Sequence, residues 1–316
     1  MTVLTARAGR QDARTLVAAL LIVTVMFASG VPLAGPAATM AACVALLIFG
    51  LPHGTLDLEL IRSRLSGPWT GMASLVLIYL GCAGATWLLW RVEPVLALAA
   101  FIAIATVHFS EDWEGAGSAL LRGGLALALL AAPTLAHRDA LDTIFIGLTD
   151  RASASLVTDT LVMVAPVAIG LGLVSIISLW QAGRRDQACG GLAALAAMVA
   201  LPPIIGFALF FCLFHSPRHF RESLTALSWA GFARWGRVVV PLSLTAGGIA
   251  MLIFGGQFRG DVATGIMATS FMTLSVLTVP HMLTPLLVRV LRRASSAQRH
   301  PAVALPDVGT QAMGRY

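Results

Sequence analysis

Seven histidines are the residues of this chain best suited to chemistry, and five of them stand in motifs beside prolines or acidic groups. His53 lies in Gly50-Leu51-Pro52-His53-Gly54, and His108 in Thr106-Val107-His108-Phe109-Ser110. His215 and His219 share Phe214-His215-Ser216-Pro217-Arg218-His219, and His281 follows Pro280. Neutral imidazole suits iron, zinc and copper, and ligands four residues apart, such as His215 and His219, share a helical face. Pro217 between them removes an amide donor and crowds the preceding turn, which predicts a kink. Asp57 follows His53 by four residues and Asp112 follows His108 by four. A carboxylate so placed could accept from the far nitrogen of a metal-bound imidazole and fix its tautomer. The competing reading is a solvated loop charge, the one adopted for Glu111 and Glu114. His137, beside Arg138 and Asp139, and His300, in the tail, are not ligand candidates.

The elements that must position these side chains follow from composition. Of 316 residues 58% are hydrophobic and 11% charged, against about 25% charged in an ordinary soluble domain. The chain is therefore read as an integral membrane protein. Apolar runs fall near 15–31, 36–52, 70–90, 93–109, 118–135, 155–180, 188–203, 204–217, 237–255 and 264–288. The fold class expected is all-α, a polytopic transmembrane helical bundle of about ten spans. Eight is the alternative count, because Leu201-Pro202-Pro203 must serve as the whole turn between the seventh and eighth runs. Residues 1–14 form a cytoplasmic N-terminal segment, 15–288 the bundle, and 289–316 a cytoplasmic tail expected to be disordered from Ala294. The Arg-containing start and the small residues Ala34 and Gly35 give the first run some features of a cleaved signal. The many similar runs after it favour a first span instead.

Arginine placement tests the count. All 21 basic residues are arginine, so the formal charge of +6 is read as a topology signal and not as a nucleic-acid footprint. With both termini cytoplasmic, 17 arginines fall on one side and only Arg91, Arg138, Arg151 and Arg259 on the other. Trp69, Trp87, Trp90 and Trp180 fall at span ends, where an aromatic belt is expected. Cys43, Cys82, Cys189 and Cys212 lie within apolar runs without CxxC spacing and are read as small core residues.

In this topology His53, His108, His215, His219 and His281 reach one depth, toward the cytoplasmic leaflet. A single intramembrane histidine is more often hydrogen-bonded to a neighbouring helix. Several from different helices at one level suggest a shared polar centre, and a metal site is the sharper reading.

The blocks Gly50-Leu51-Pro52-His53-Gly54 with Asp57, His108-Phe109, Phe211-Cys212 through His215-Ser216 with Arg218-His219, and Pro280-His281-Met282 resemble the Brp/Blh family of membrane-bound beta-carotene 15,15'-dioxygenases. The matched stretch runs from about residue 50 to 285. The resemblance implies cleavage of the central double bond of beta-carotene by O2 to retinal, at non-haem ferrous iron, Fe(2+). The ligands it implies are His53, His108, His215 and His219, with His281 as a further residue of the site, either ligand or pocket wall. Leu58-Glu59 depart from the pattern, since family members often have a histidine next to the aspartate. The implied setting is the cell inner membrane, in contact with lipid, with a microbial rhodopsin as the user of the product.

An apolar tunnel would orient the polyene, with Phe109, Phe207, Phe210, Phe211, Phe214 and Met282 as candidate lining. The alternatives are cleavage of a different carotenoid, a haem protein with paired histidines such as His53 and His108, a di-iron hydroxylase, and a proton- or metal-binding transporter. The di-iron enzyme would need more histidines than five, and no internal repeat points to a transporter.

Overall fold

Residues 3–64, 69–227, 232–254 and 262–299 are described by the structure, a computed structural model. All regular structure among them is helical. The chain runs through α1 (Val3–Ala28), α2 (Pro36–Arg64), α3 (Trp69–Val92) and α4 (Pro94–Ser110), then a 3-10 segment (Glu111–Ala116). It continues through α5 (Ala119–Ala131), α6 (Pro133–Ala136), α7 (Arg138–Leu148), α8 (Arg151–Gln181), α9 (Arg185–Ala200) and α10 (Pro203–Phe210). A π-helical turn (Phe211–His215) leads into α11 (Ser216–Ala226), followed by α12 (Phe232–Phe254) and α13 (Val262–Arg299).

Among the described residues, five stretches are long and apolar enough to cross a membrane: Gln11–Ala28, Pro94–Ala116, Ala119–Ala136, Arg151–Gln181 and Val262–Leu283. Shorter apolar helices cover Pro36–Pro52, Val76–Val92 and Val239–Ile253. Large apolar side chains such as Leu21, Ile22 and Val25 on α1, Leu80 on α3, Met163 on α8 and Leu252 on α12 stand exposed. Lipid is the medium that such faces suit, and a helix is the element that satisfies its own backbone there.

Inside the bundle, close approach is made by small residues, as expected where helices cannot rely on water to drive them together. A Cβ built on Gly172 of α8 would lie 3.2 Å from Ala128 Cβ of α5. One built on Gly206 of α10 would lie 2.7 Å from the Ala197 carbonyl oxygen of α9. That contact explains how Leu201-Pro202-Pro203 can serve as the whole turn: α9 and α10 lie backbone to backbone. Gly117, at φ +87°, supplies the left-handed turn that separates the 3-10 segment from α5. Ser118 then caps α5 by accepting from the Leu121 amide at 3.2 Å, and Asp150 caps α8 by accepting from Ala152 and Ser153. The Ser153 hydroxyl and these amides hold the Asp150 carboxyl below the ordinary carboxylate range.

Several expectations need correction. Residues 138–148, which lie between the expected runs 118–135 and 155–180, form α7, an amphipathic helix with Leu141, Ile144, Phe145 and Leu148 buried. The spacing of those four residues is helical, and the run is too short to register as a span. Trp90 belongs to the core and not to an interfacial belt, being 4% exposed and donating to Ser275 Oγ at 2.8 Å. Cys189 is exposed, whereas Cys43 and Cys212 are buried. Finally, α13 continues to Arg299, past Ala294; His300 and the rest of the tail lie outside the described residues.

Gly206→Ala forces a methyl against backbone and should destabilise the protein by about 1–3 kcal/mol. Gly81→Ala, which would meet nothing within 4 Å, should not lower the unfolding temperature in detergent. Equal midpoints for both variants would contradict the tight α9–α10 contact.

Candidate active site

Local irregularities of backbone deliver the site residues. His108 ends the regular part of α4, and the chain then tightens into the 3-10 segment, where Trp113 leaves helical geometry at φ −114°, ψ 29°. In an unbroken helix Asp112 would share a face with His108. The change of pitch turns its carboxylate toward α11 instead. His215 closes the π-turn, in which the Ser216 amide donates to the Phe211 carbonyl. Pro217 lacks the amide that a regular helix requires and its ring crowds the turn before it, so the wider turn falls where the sequence predicts a kink. The Ser216 hydroxyl donates to the Phe49 carbonyl of α2 at 2.6 Å, beside Pro52, where a proline interrupts the hydrogen bonding of that helix.

Four of the five histidines are brought together. The Nε2 atoms of His108 and His215 approach to 3.1 Å. Ring centroids lie 4.5 Å apart for His215 and His219, 5.4 Å for His108 and His219, and 5.2 Å for His108 and His281. His215 is fully buried and His108 nearly so. His53 lies on α2 directly after Pro52, and its side chain, like that of Asp57, is outside the described set.

The carboxylate behind the pair is Asp112, and it serves a different histidine from the one its spacing suggests. Asp112 Oδ2 lies 2.7 Å from His215 Nδ1, and Oδ1 lies 3.5 Å from His219 Nε2. His108 Nδ1 faces Glu111 Oε2 at 3.7 Å, so Glu111, read as a solvated charge, stands beside the cluster. Potential ligand atoms of Asp112, His215 and His219 all lie within 4.8 Å of one another.

This donor set fits a cation. With His215 Nδ1–H donating to Asp112, its Nε2 carries a lone pair aimed at His108 Nε2. Two imidazole nitrogens bound to one ion at about 2.1 Å lie about 3.0 Å apart at a right angle and about 3.4 Å apart at the tetrahedral angle. The observed 3.1 Å falls in that window. Asp112 contacts the opposite nitrogen of the His215 ring, so it supports that imidazole and does not share an ion lying between the two Nε2 atoms.

Three contacts that spacing does not record hold the segments around Asp112 in place. Arg218 donates from Nη1 to the Asp112 carbonyl at 2.6 Å and from Nε to Glu222 at 3.1 Å. Arg221 of α11 forms a two-pronged pair with Asp12 of α1, the longer contact being 3.1 Å, and so ties the N-terminal helix to the site helix. Trp113, fully buried, stacks on Phe214 with ring centroids 5.2 Å apart and planes 14° apart. That stack fastens the 3-10 segment to the π-turn. Arg218 lay within the histidine motif and Trp113 beside Asp112, yet neither showed in spacing which atom it would hold.

An apolar cavity opens directly beside the imidazoles, walled by His108, His215 and His281 together with Gly50, Phe211 and Leu274. A second apolar cavity adjoins it. Of the lining expected from sequence, Phe109 and Phe207 face both cavities and Phe211 the first. Phe210 and Phe214 pack behind it around Trp113, and Met282 is absent from both walls.

Comparison with known proteins agrees with the resemblance read from the motifs. The family described as beta-carotene 15,15'-dioxygenase matches residues 44–291. A beta-carotene 15,15'-dioxygenase of the uncultured marine bacterium 66A03 is 28% identical over 255 residues, covering 76% of this chain and 90% of the relative. A protein of Halobacterium salinarum named probable beta-carotene 15,15'-dioxygenase Blh is 27% identical over 329 residues, covering 89% and 94%. No solved structure matches. With its helical architecture, its histidine cluster and a family match over most of its length, the chain belongs to the beta-carotene 15,15'-dioxygenase family.

Proposed function

We propose that this protein cleaves the central double bond of beta-carotene with O2 to give two molecules of retinal, at a ferrous ion bound by histidine. The observation that carries the reading is the 3.1 Å approach of two buried imidazole Nε2 atoms on the wall of an apolar cavity. His108 and His215 would hold the ion, with His219 and, from α2, His53 as the further ligands, and His281 stands at the cavity wall. Iron, when bound, supplies the redox chemistry that lets O2 react. The chain's own residues do the rest.

Asp112 keeps the His215 proton on Nδ1, so that Nε2 stays free to bind, and Arg218 holds the backbone of Asp112 in place. Asp57, four residues after His53, is proposed to support that histidine in the same way. Apolar walls exclude water and line the polyene up with the imidazoles. The reaction closes without other reactants: the central C=C and the O=O bonds break, two C=O bonds form, and no proton or electron enters or leaves.

The arginine distribution supports the setting proposed. The ten helical runs cross the cell inner membrane with both termini cytoplasmic, which puts 17 of 21 arginines on the cytoplasmic side. Substrate reaches the cavity from lipid. Retinal is the expected product to be passed to a retinal-binding protein such as a microbial rhodopsin.

Purified protein given ferrous iron, O2 and beta-carotene should yield retinal on chromatography. His215→Ala and His219→Ala should lose iron retention and retinal together, while His137→Ala and His300→Ala keep both. Full iron occupancy without cleavage in the first pair would move them from ligand to substrate contact. Asp112→Ala should weaken iron binding about 10–100-fold. Arg218→Met should weaken it less and lower stability by about 1.5–3 kcal/mol, the loss of a charged hydrogen bond, with Arg218→Lys recovering part. An Arg218→Met protein with wild-type iron affinity and unfolding temperature would remove that residue from the positioning role.

A further inference from the structure

The second cavity is not needed to explain the histidine cluster, yet it adjoins the first. Phe101, Ala105, Phe109 and Phe207 line both cavities, so these four side chains form the boundary between the space beside the imidazoles and the second chamber. Every residue lining the second chamber is apolar. It therefore offers nothing to a polar ligand, and burial of hydrocarbon is the interaction it can supply.

One side of it is lined by a dedicated element. Leu141, Ile144, Phe145 and Leu148 of α7 are buried and all line the chamber, which makes the inner face of this helix its wall. The wall is held from outside: Arg138 pairs with Asp159 of α8, and Asp142 accepts from Thr158 Oγ1 at 2.8 Å. A span-to-span connection would not need an amphipathic helix fixed in this way.

We infer that the second chamber is a blind arm for one end of an elongated apolar substrate, and that Ile144 and Phe145 on α7 set how far that end enters and hence which double bond lies beside the histidines. The inference rests on the carotenoid reading above and deepens it by assigning the residues that choose the bond. A polyene has no polar group to mark its centre, so a stop at the end of the arm is what fixes its register.

The test uses the detergent-purified full chain as wild type, Ile144→Trp, Phe145→Ala and the exposed-face control Met163→Trp. Two probes are offered, beta-carotene and a hydrocarbon polyene with the same central part, shortened at one end and lacking that end's ring. Carotenoid comigrating with protein is read by absorbance, and products by chromatography. Ile144→Trp should reduce retention and cleavage of beta-carotene roughly tenfold or more, the scale of steric discrimination in an apolar pocket. It should still cleave the shortened hydrocarbon, whose truncated end fits the shortened arm, which also shows that the variant is folded. Phe145→Ala should add a pair of aldehydes of unequal length from a neighbouring double bond.

If Ile144→Trp handles beta-carotene as Met163→Trp does and Phe145→Ala gives retinal alone, the arm is overturned while the dioxygenase reading stands. Loss of both probes in Ile144→Trp with unchanged products in Phe145→Ala also overturns it. Retention without cleavage in the wild type, abolished in Ile144→Trp, supports the arm and overturns the cleavage reading. A wild type that neither retains nor cleaves beta-carotene overturns both.

Discussion

Two imidazole nitrogens facing each other at 3.1 Å inside an apolar bundle are the constraint around which the rest of the molecule is arranged. Exposed to water, such a pair would drift apart at little cost. Buried, each polar atom needs a partner, because an unsatisfied group in a low-dielectric interior costs about 1–3 kcal/mol. Asp112 answers for one side of His215, and Arg218 then answers for the backbone that carries Asp112. This chain of dependence runs outward from the imidazoles to α11 and, through the Arg221–Asp12 pair, to the N-terminal helix. At the inner end of that chain the Nε2 atoms of His108 and His215 lie within hydrogen-bond distance of each other.

The same constraint accounts for where the backbone departs from regular helix. A membrane helix keeps its hydrogen bonds within itself, so irregular turns there need local compensation. The 3-10 segment after Ser110 and the π-turn before Ser216 face each other, locked by the Trp113–Phe214 stack. Either irregularity alone would leave its carboxylate or its imidazole pointing at packing atoms. Together they set Asp112 against His215 across two helices distant in sequence. Ser216, one residue beyond His215, adds a third helix by donating to Phe49. The prolines at 52 and 217 are thus part of how the histidines are aimed, and not merely helix ends.

Much of this was legible in the sequence, and the limits have physical reasons. Each expected apolar run falls on a helix or a pair of short helices, because membrane solvation writes its demand into every residue of a span. The clustering of His108, His215, His219 and His281 followed from depth alone. What depth and spacing could not give was which carboxylate serves which imidazole. The rule of four placed Asp112 with His108, and a change of helical pitch after Ser110 moved it to His215. Arg218 was hidden for a related reason: its role is a contact across helices, and spacing within one helix carries no record of it. Glu111, three residues after His108, did have a helical spacing from it and was passed over in favour of Asp112. The amphipathic α7 was missed because its stripe is short and lies between two longer apolar runs.

A hydrocarbon ligand poses a recognition problem that polar substrates do not. Burial contributes about 0.8 kcal/mol per methylene-sized group, so an apolar tunnel can bind a polyene tightly while being nearly indifferent to sliding it by one bond. Uniform affinity of that kind does not select a reaction site. Selection requires a feature that distinguishes one register from the next, and in a tunnel with apolar walls the available feature is a closed end. The walls here are built from aromatic rings stacked on one another, such as Phe207 on Phe211 with centroids 5.7 Å apart, which limits how far they yield. Polarity is confined to the imidazole end of the first cavity. The arrangement therefore separates two tasks, with the distance to the wall deciding where a chain stops and the histidines deciding what happens at that point.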